Sequence, residues 1–127
     1  MLIVSTPDAT VEAFLLASLR RSLENLLETI EILSRLRKKF IERCAEQRGQ
    51  IALAATAWQV DGDIAARTEL LRLVHGLAGA GGTFGFDRLS RIAADAEAAL
   101  ETPGACSPAS AIADLLAEID SIAADRE

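Results

Sequence analysis

Aromatic residues, histidine and excess positive charge are all scarce in this chain of 127 residues. Only 4% of the residues are aromatic, and the net charge is −6. A nucleic-acid-binding protein usually has a basic surface and aromatic rings on which bases stack, so this composition argues against nucleic acid as a partner. One histidine, His75, and two distant cysteines, Cys44 and Cys106, cannot build a metal cluster. We therefore predict no metal site and two reduced thiols in packing positions.

Signals for membrane insertion and for catalysis are also missing. No apolar run approaches the roughly 18 residues that a membrane helix needs, and Leu2-Ile3-Val4 lacks the positive flank of a signal peptide. The chain has no glycine-rich phosphate loop between a strand and a helix, and no recognisable nucleophile motif. We therefore expect a cytoplasmic protein without a cofactor, whose partners are other proteins and not membranes.

The spacing of apolar residues predicts an all-α chain. Leucine, isoleucine and alanine recur every three or four residues, whereas no segment alternates like a strand. Thr6-Pro7-Asp8 predicts the start of a first helix. Its apolar residues alternate steps of three and four, in the series Leu16, Leu19, Leu23, Leu26, Ile30 and Leu33, continued by Arg37, Phe40 and Cys44. Two interpretations stay open: one helix over about 8–59, or two helices that meet near 34–38.

Turn and cap residues divide the rest of the chain into three more helices. Asp61-Gly62-Asp63 predicts a turn with Asp63 as a cap, and Gly85 suits a left-handed position after a helix that ends near residue 83. Thr102-Pro103-Gly104 ends the next helix, and Ser107-Pro108 begins the last one. The predicted core residues are Phe40, Cys44, Ile51, Trp58, Leu70, Val74, Leu77, Gly81, Leu89, Ala93, Ala96, Leu100, Ile112, Leu115, Leu116, Ile119 and Ile122.

Short loops between such helices favour an antiparallel up-down four-helix bundle, which we assign to residues 36–127. Residues 1–35 then form an additional long N-terminal helix with an exposed apolar seam. Soluble monomers avoid such a seam, so we expect a homodimer through this helix. The alternative is that the helix packs against its own bundle.

The segment that follows His75 is poor in side chains. Five of the eleven residues from His75 to Gly85 are glycine, and each glycine inside a helix costs about 0.5 to 1 kcal/mol relative to alanine. Ala78, Gly79 and Gly82 follow His75 by three, four and seven residues, which places them on the same helical face. We interpret this face as a docking surface for a partner's active site. A neutral imidazole nitrogen is a good nucleophile for reversible phosphoryl transfer.

Two charged residues are candidates for supporting His75. If the chain reverses near Gly85, Glu97 lies level with His75, where its carboxylate would accept a proton from one imidazole nitrogen and orient the ring. Arg72, one turn before His75, would add positive charge for an acidic partner or for the phosphoryl group. For both residues the alternative is an ordinary solvated side chain.

His75, Leu77, Gly79 and Gly85 resemble the signature of histidine-containing phosphotransfer (Hpt) domains. That signature is H-x-L-K-G, followed by small residues and a glycine ten positions after the histidine. The resemblance extends through Phe86, Leu89, Ala93 and Glu97, and more loosely over about residues 37–124. In the related phosphotransfer domain of chemotaxis kinases, a glutamate 22 positions after the histidine contacts it, and the resemblance carries this role onto Glu97.

The resemblance implies a phosphorelay intermediate that carries a phosphoryl group on His75. Its partners would be a sensor or hybrid histidine kinase and the receiver domain of a response regulator, which would hold the magnesium ion; no ATP site of its own is implied. One departure is Ala78, because the family has a lysine there that resembles a phosphate clamp. The alternative function is a non-transferring adaptor that docks and inhibits a kinase or a response regulator.

Overall fold

The computed structural model describes residues 9–102 and 107–125, which form four α-helices and no strand. Helix α1 is Ala9–Asp61, α2 is Ile64–Thr83, α3 is Asp87–Glu101 and α4 is Pro108–Asp125. The predicted all-α fold is confirmed. The predicted start at Thr6-Pro7-Asp8, the predicted stop at Pro103-Gly104 and Cys106 lie outside the described residues.

Helix α1 is a single helix of 53 residues. The prediction of one long helix is confirmed, and the alternative of two helices that meet near 34–38 is wrong. The physical reason is local: residues 34–38 contain no glycine or proline, and their arginines and lysine are good helix formers. The chain divides into two compact units, an N-terminal unit of Met1–Arg35 and a bundle unit of Leu36–Glu127. The additional N-terminal segment is therefore the first part of α1 and not a separate helix.

The bundle unit is built around one apolar core. Helix α2 packs against α3, and α3 packs against α4. Arg48 of α1 holds Asp120 of α4 through two hydrogen bonds, Nε to Oδ1 at 2.6 Å and Nη2 to Oδ2 at 2.9 Å. Every residue predicted for the core is buried except Trp58 and Leu116, which are half-buried. Short loops make consecutive helices antiparallel, as predicted for an up-down bundle.

Two of the predicted helix starts are confirmed in detail. Oδ1 of Asp63 accepts a hydrogen bond from the backbone N–H of Ala66 at 3.1 Å, so Asp63 caps α2. Oγ of Ser107 accepts one from the N–H of Ser110 at 3.4 Å, and α4 begins at Pro108.

The turn between α2 and α3 is set by Gly85, as predicted. Its φ of +83° lies in the left-handed region that favours glycine. The N–H of Phe86 donates to the carbonyl of Gly81 at 2.7 Å, and the N–H of Gly85 donates to that of Gly82 at 3.3 Å. These two bonds form a Schellman motif, which satisfies carbonyls at the end of α2. The motif fixes the hairpin, and the hairpin decides which residues of α3 lie beside His75.

In the N-terminal unit, the large apolar side chains of α1 are exposed. The apolar seam, which we define as Leu16, Leu19, Leu23, Leu26, Ile30 and Leu33, has exposed fractions between 52% and 61%. None of the helices in the described ranges combines the length and the apolar character of a membrane-spanning segment.

Candidate functional site

His75 stands on the solvent side of α2. Its neighbours Leu73, Val74 and Leu77 are buried in the core, whereas 76% of the His75 side chain is exposed. His75 is next to these buried residues in the sequence, but its ring lies outside the core. An imidazole placed in this way is accessible to another protein.

Glu97 of α3 contacts the histidine ring. Its Oε2 lies 2.8 Å from Nδ1 of His75, and 24% of its side chain is exposed. A carboxylate at this distance favours the tautomer that carries the proton on Nδ1, because Nδ1–H then donates a charge-assisted hydrogen bond. The other ring nitrogen, Nε2, keeps its lone pair. The contact holds the ring against α3 and favours the tautomer in which Nε2 is unprotonated.

The surface beside His75 is bare at two glycines. A Cβ atom built on Gly76 or Gly79 would meet no other group within 4 Å, and both residues are exposed. Such a surface allows a second protein to approach the backbone of α2 closely.

The other two residues of the predicted docking surface are less open. Gly82 is exposed, but a Cβ there would lie 3.4 Å from Oγ of Ser90. Ala78 is half-buried and packs against the core, and its carbonyl accepts a hydrogen bond from Oγ of Ser90 at 2.5 Å. Of the three predicted docking residues, Gly79 is the one with open space beyond its backbone.

Arg72 is engaged with Glu69 on its own helix. Its Nη2 lies 2.6 Å from Oε1 of Glu69, and its Nε lies 3.0 Å from Oε2. These hydrogen bonds hold the pKa of Glu69 below its ordinary value and raise the pKa of Arg72 above its own. The side chains of Arg72 and Glu69 are 65% and 47% exposed. The positive charge of Arg72 is thus accompanied by a negative charge one turn earlier, which reduces its field at the rim of the site.

Two further residues, which the sequence pattern did not predict, hold α2 and α3 in register. Ser90 bonds the carbonyl of Ala78 from the first turn of α3, and Nη2 of Arg67 donates to the carbonyl of Leu100 at 2.8 Å near the end of α3. These bonds lie on either side of the His75–Glu97 contact along the hairpin. They position the two helices that carry the contact, and nothing in the one-dimensional pattern distinguishes them from other serines and arginines.

Metal ligands do not gather at this site. Among the residues that the structure describes, no three histidine, cysteine, aspartate or glutamate side chains come close enough to hold a metal ion. Cys44 is buried away from solvent in the core of the bundle unit.

Comparison with known proteins identifies one family, and the match covers nearly all of the bundle unit. The family model of the Hpt domain matches residues 35–125, which is more than half of the chain. No curated protein and no solved structure matches the chain significantly.

Proposed function

Because this chain belongs to the Hpt domain family, whose members are phosphocarriers of two-component phosphorelays, we propose that His75 carries the phosphoryl group. The observation that supports this most is the pairing of Nδ1 with Glu97 at 2.8 Å on a ring that is 76% exposed. It leaves Nε2 as an accessible nucleophile.

The proposed transfer step uses the lone pair of Nε2. Nε2 attacks the phosphorus of a phosphoaspartate on a receiver domain, an N–P bond forms, and the P–O bond to aspartate breaks with its electron pair leaving on the carboxylate. The ring thereby gains a positive charge, since Nδ1 keeps its proton. The carboxylate of Glu97 lies against that charge and stabilises it. The reverse reaction delivers the phosphoryl group to a second receiver.

Hpt domains interact with receiver domains and histidine kinases. For this chain we propose that such partners dock over the bare surface at Gly79, with contacts to Ala78 and Gly82. The acidic pocket of a receiver is attracted by Arg72, but Glu69 offsets that attraction. Arg72 is therefore a rim contact of small effect, and positive charge for the phosphoryl group comes from the partner. We place this exchange in the cytoplasm, where the chain acts as a carrier without an ATP site of its own.

We further propose that residues 36–127 form the complete transfer domain. All residues assigned to the transfer step, and the hydrogen bonds from Arg67 and Ser90 that position them, lie in this unit. Residues 1–35 are then a separate association segment.

The test is incubation with a radiolabelled, phosphorylated receiver domain and magnesium, followed by measurement of acid-labile label on the chain. We expect label on the native protein and none on His75→Gln with the same helical signal. Glu97→Gln should slow labelling about tenfold, equivalent to about 1.4 kcal/mol, because the amide oxygen still accepts the hydrogen bond from Nδ1 but carries no negative charge to stabilise the ring. Glu101→Gln changes an exposed glutamate on the same helix and is the matched control.

The replacement of the family lysine by Ala78 favours a second candidate, the non-transferring adaptor. An adaptor would bind the receiver domain without accepting label, and binding would survive His75→Gln unchanged. Label that persists on His75→Gln would contradict the assignment of His75.

A further inference from the structure

We propose that the N-terminal unit pairs with the same unit of a second copy of the chain in an antiparallel coiled coil. The surface involved is the apolar seam, and the occupant is an identical seam. This inference concerns association and does not depend on phosphoryl transfer.

The seam has the spacing that a coiled coil requires. Its six residues alternate steps of three and four, so they occupy positions a and d of successive heptads, and all six are more than half exposed. The same heptad spacing continues to Glu12, at position d before the seam, and to Arg37, at position a after it. Because both are charged, the apolar pairing is limited to residues 16–33.

The spacings between seam residues are three, four, three, four and three, so the pattern is the same when it is taken from either end of the seam. In an antiparallel pair, position a of one helix meets position d of the other, so Leu16 meets Leu33, Leu19 meets Ile30 and Leu23 meets Leu26 of the second copy. Every seam residue then has an apolar partner. The resulting dimer has twofold symmetry, so each contact occurs twice and the assembly stops at two copies.

The charges that flank the seam decide the direction. In the antiparallel register, Glu12 of one copy comes opposite Arg37 of the other, and this opposite-charge pair occurs twice. In a parallel pair, Glu12 would face Glu12 and Arg37 would face Arg37. Both residues are exposed, and the guanidinium of Arg37 lies 4.5 Å from the ring centre of Phe86, which restricts its position.

The two leucines that flank the ends of the seam agree with the antiparallel direction. Leu15 and Leu36 flank the two ends of the seam and are 56% and 42% exposed. The antiparallel register brings Leu15 of one copy beside Leu36 of the other. A parallel register would instead place Leu15 beside the charged side chain of Arg20.

Beyond Arg37 the same spacing reaches residues that are already covered. Phe40 and Cys44 follow in register, and both lie in the core of the bundle unit, with exposed fractions of 5% and 1%. They offer no surface to a second copy. The coiled coil therefore ends at Arg37 on one side and at Glu12 on the other.

The first test is sedimentation equilibrium of the full chain, where we expect a dimer at tens of micromolar. Leu26→Asp should raise the dissociation constant at least about a hundredfold, because the charge would be buried without a partner. The matched control is Ile32→Asp, an exposed isoleucine on the same helix outside the seam, which should leave the dimer intact.

The second test reverses charges to determine direction. Glu12→Arg should weaken the dimer about tenfold, and adding Arg37→Glu should restore it, because the pair is re-formed with opposite signs. In a parallel dimer, Glu12→Arg would exchange one like-charge contact for another and leave the constant unchanged, which would overturn the proposal. A full-length chain that stays monomeric, alone or bound to lipid vesicles, would also overturn it.

Discussion

The two parts of α1 have the same pattern of apolar residues and opposite surroundings. In residues 9–35, the side chains at three-and-four spacing are more than half exposed, whereas Phe40, Cys44 and Ile51 in the second part are at most 5% exposed. The pattern determines that a helix has an apolar face. What covers that face is decided elsewhere in the chain, and in the second part it is covered by the bundle core.

The same contrast occurs within α2, two residues apart. Gly79 opens onto empty space, whereas Gly81 is buried, and a Cβ on it would lie 3.2 Å from the backbone nitrogen of Ser90. Gly79 has open space beyond its backbone, and Gly81 lets α3 approach closely. Glycines that look equivalent in the sequence therefore have different roles.

Removal of the uncovered part of α1 should have the largest effect. Deletion of residues 1–35 should abolish self-association and leave labelling of His75 unchanged within about twofold, because the core and the site lie in the bundle unit. The measurements are sedimentation and phosphoryl acceptance on the same sample. A truncated chain that loses its helical signal would contradict the division into two units.

Equivalent isoleucines in the two parts of α1 should differ in their effect on bundle stability. Ile51 is fully buried, and Ile30 occupies the same heptad position three heptads earlier at 52% exposure. Ile51→Ala should lower the free energy of unfolding by about 2–5 kcal/mol, since it leaves a cavity. Ile30→Ala should change the free energy of unfolding by less than about 0.5 kcal/mol. This titration is made at a protein concentration below the dissociation constant of the dimer. Equal losses would mean that both parts are covered alike.

Because the thiol of Cys44 is buried, the stability of the bundle unit should fall at alkaline pH. Burial raises the pKa of Cys44 to about 11, from an ordinary value of 9.0, while nearby Arg43 acts in the opposite direction. Above pH 9 the unfolded chain therefore loses a proton that the folded chain retains, so stability falls as pH rises from 9 towards 11. The loss contributed by this group approaches about 2 kcal/mol.

This contribution is measured as the difference in unfolding free energy between pH 8 and pH 10.5. Cys44→Ala is the comparison, because it removes the thiol and leaves every other titrating group in place. The variant should show a smaller decrease than the native chain. Identical decreases would mean that the thiol is not covered.

The two glycines of α2 should respond to alanine with opposite signs. Gly79→Ala should raise stability by about 0.5 to 1 kcal/mol, because alanine is the better helix former and the space is open. Gly81→Ala should lower it by about 1 to 2 kcal/mol, since the added carbon crowds the backbone of α3. Thermal unfolding measures both.

A bulky residue at Gly79 then separates folding from docking. Gly79→Leu should keep the stability of the bundle and block phosphoryl acceptance by His75, because the leucine would fill the open space where we propose that the partner docks. A stable variant that still accepts phosphate at the native rate would show that partners approach His75 from another side.

Much of the fold could be predicted because its signals are local. Asp63 and Ser107 cap helices through their own side chains, Gly85 takes a conformation that few other residues tolerate, and the stripes on α2 and α3 follow from helical geometry. These features depend on residues a few positions apart. For the same reason the sequence alone predicted that Glu97 would lie near His75, since a single turn at Gly85 relates them.

Only the tertiary structure decided which polar groups meet across helices. The hydrogen bonds from Ser90 to Ala78 and from Arg67 to Leu100 depend on how closely α2 and α3 approach. The side chains of Arg72 and Glu69 are flexible, and their hydrogen bonds are one of several geometries open to them. Covered and uncovered glycines differ for the same reason. A sequence specifies which side chains share a face through the fixed rise and rotation of a helix, whereas the neighbours of that face come from distant parts of the chain or from another molecule.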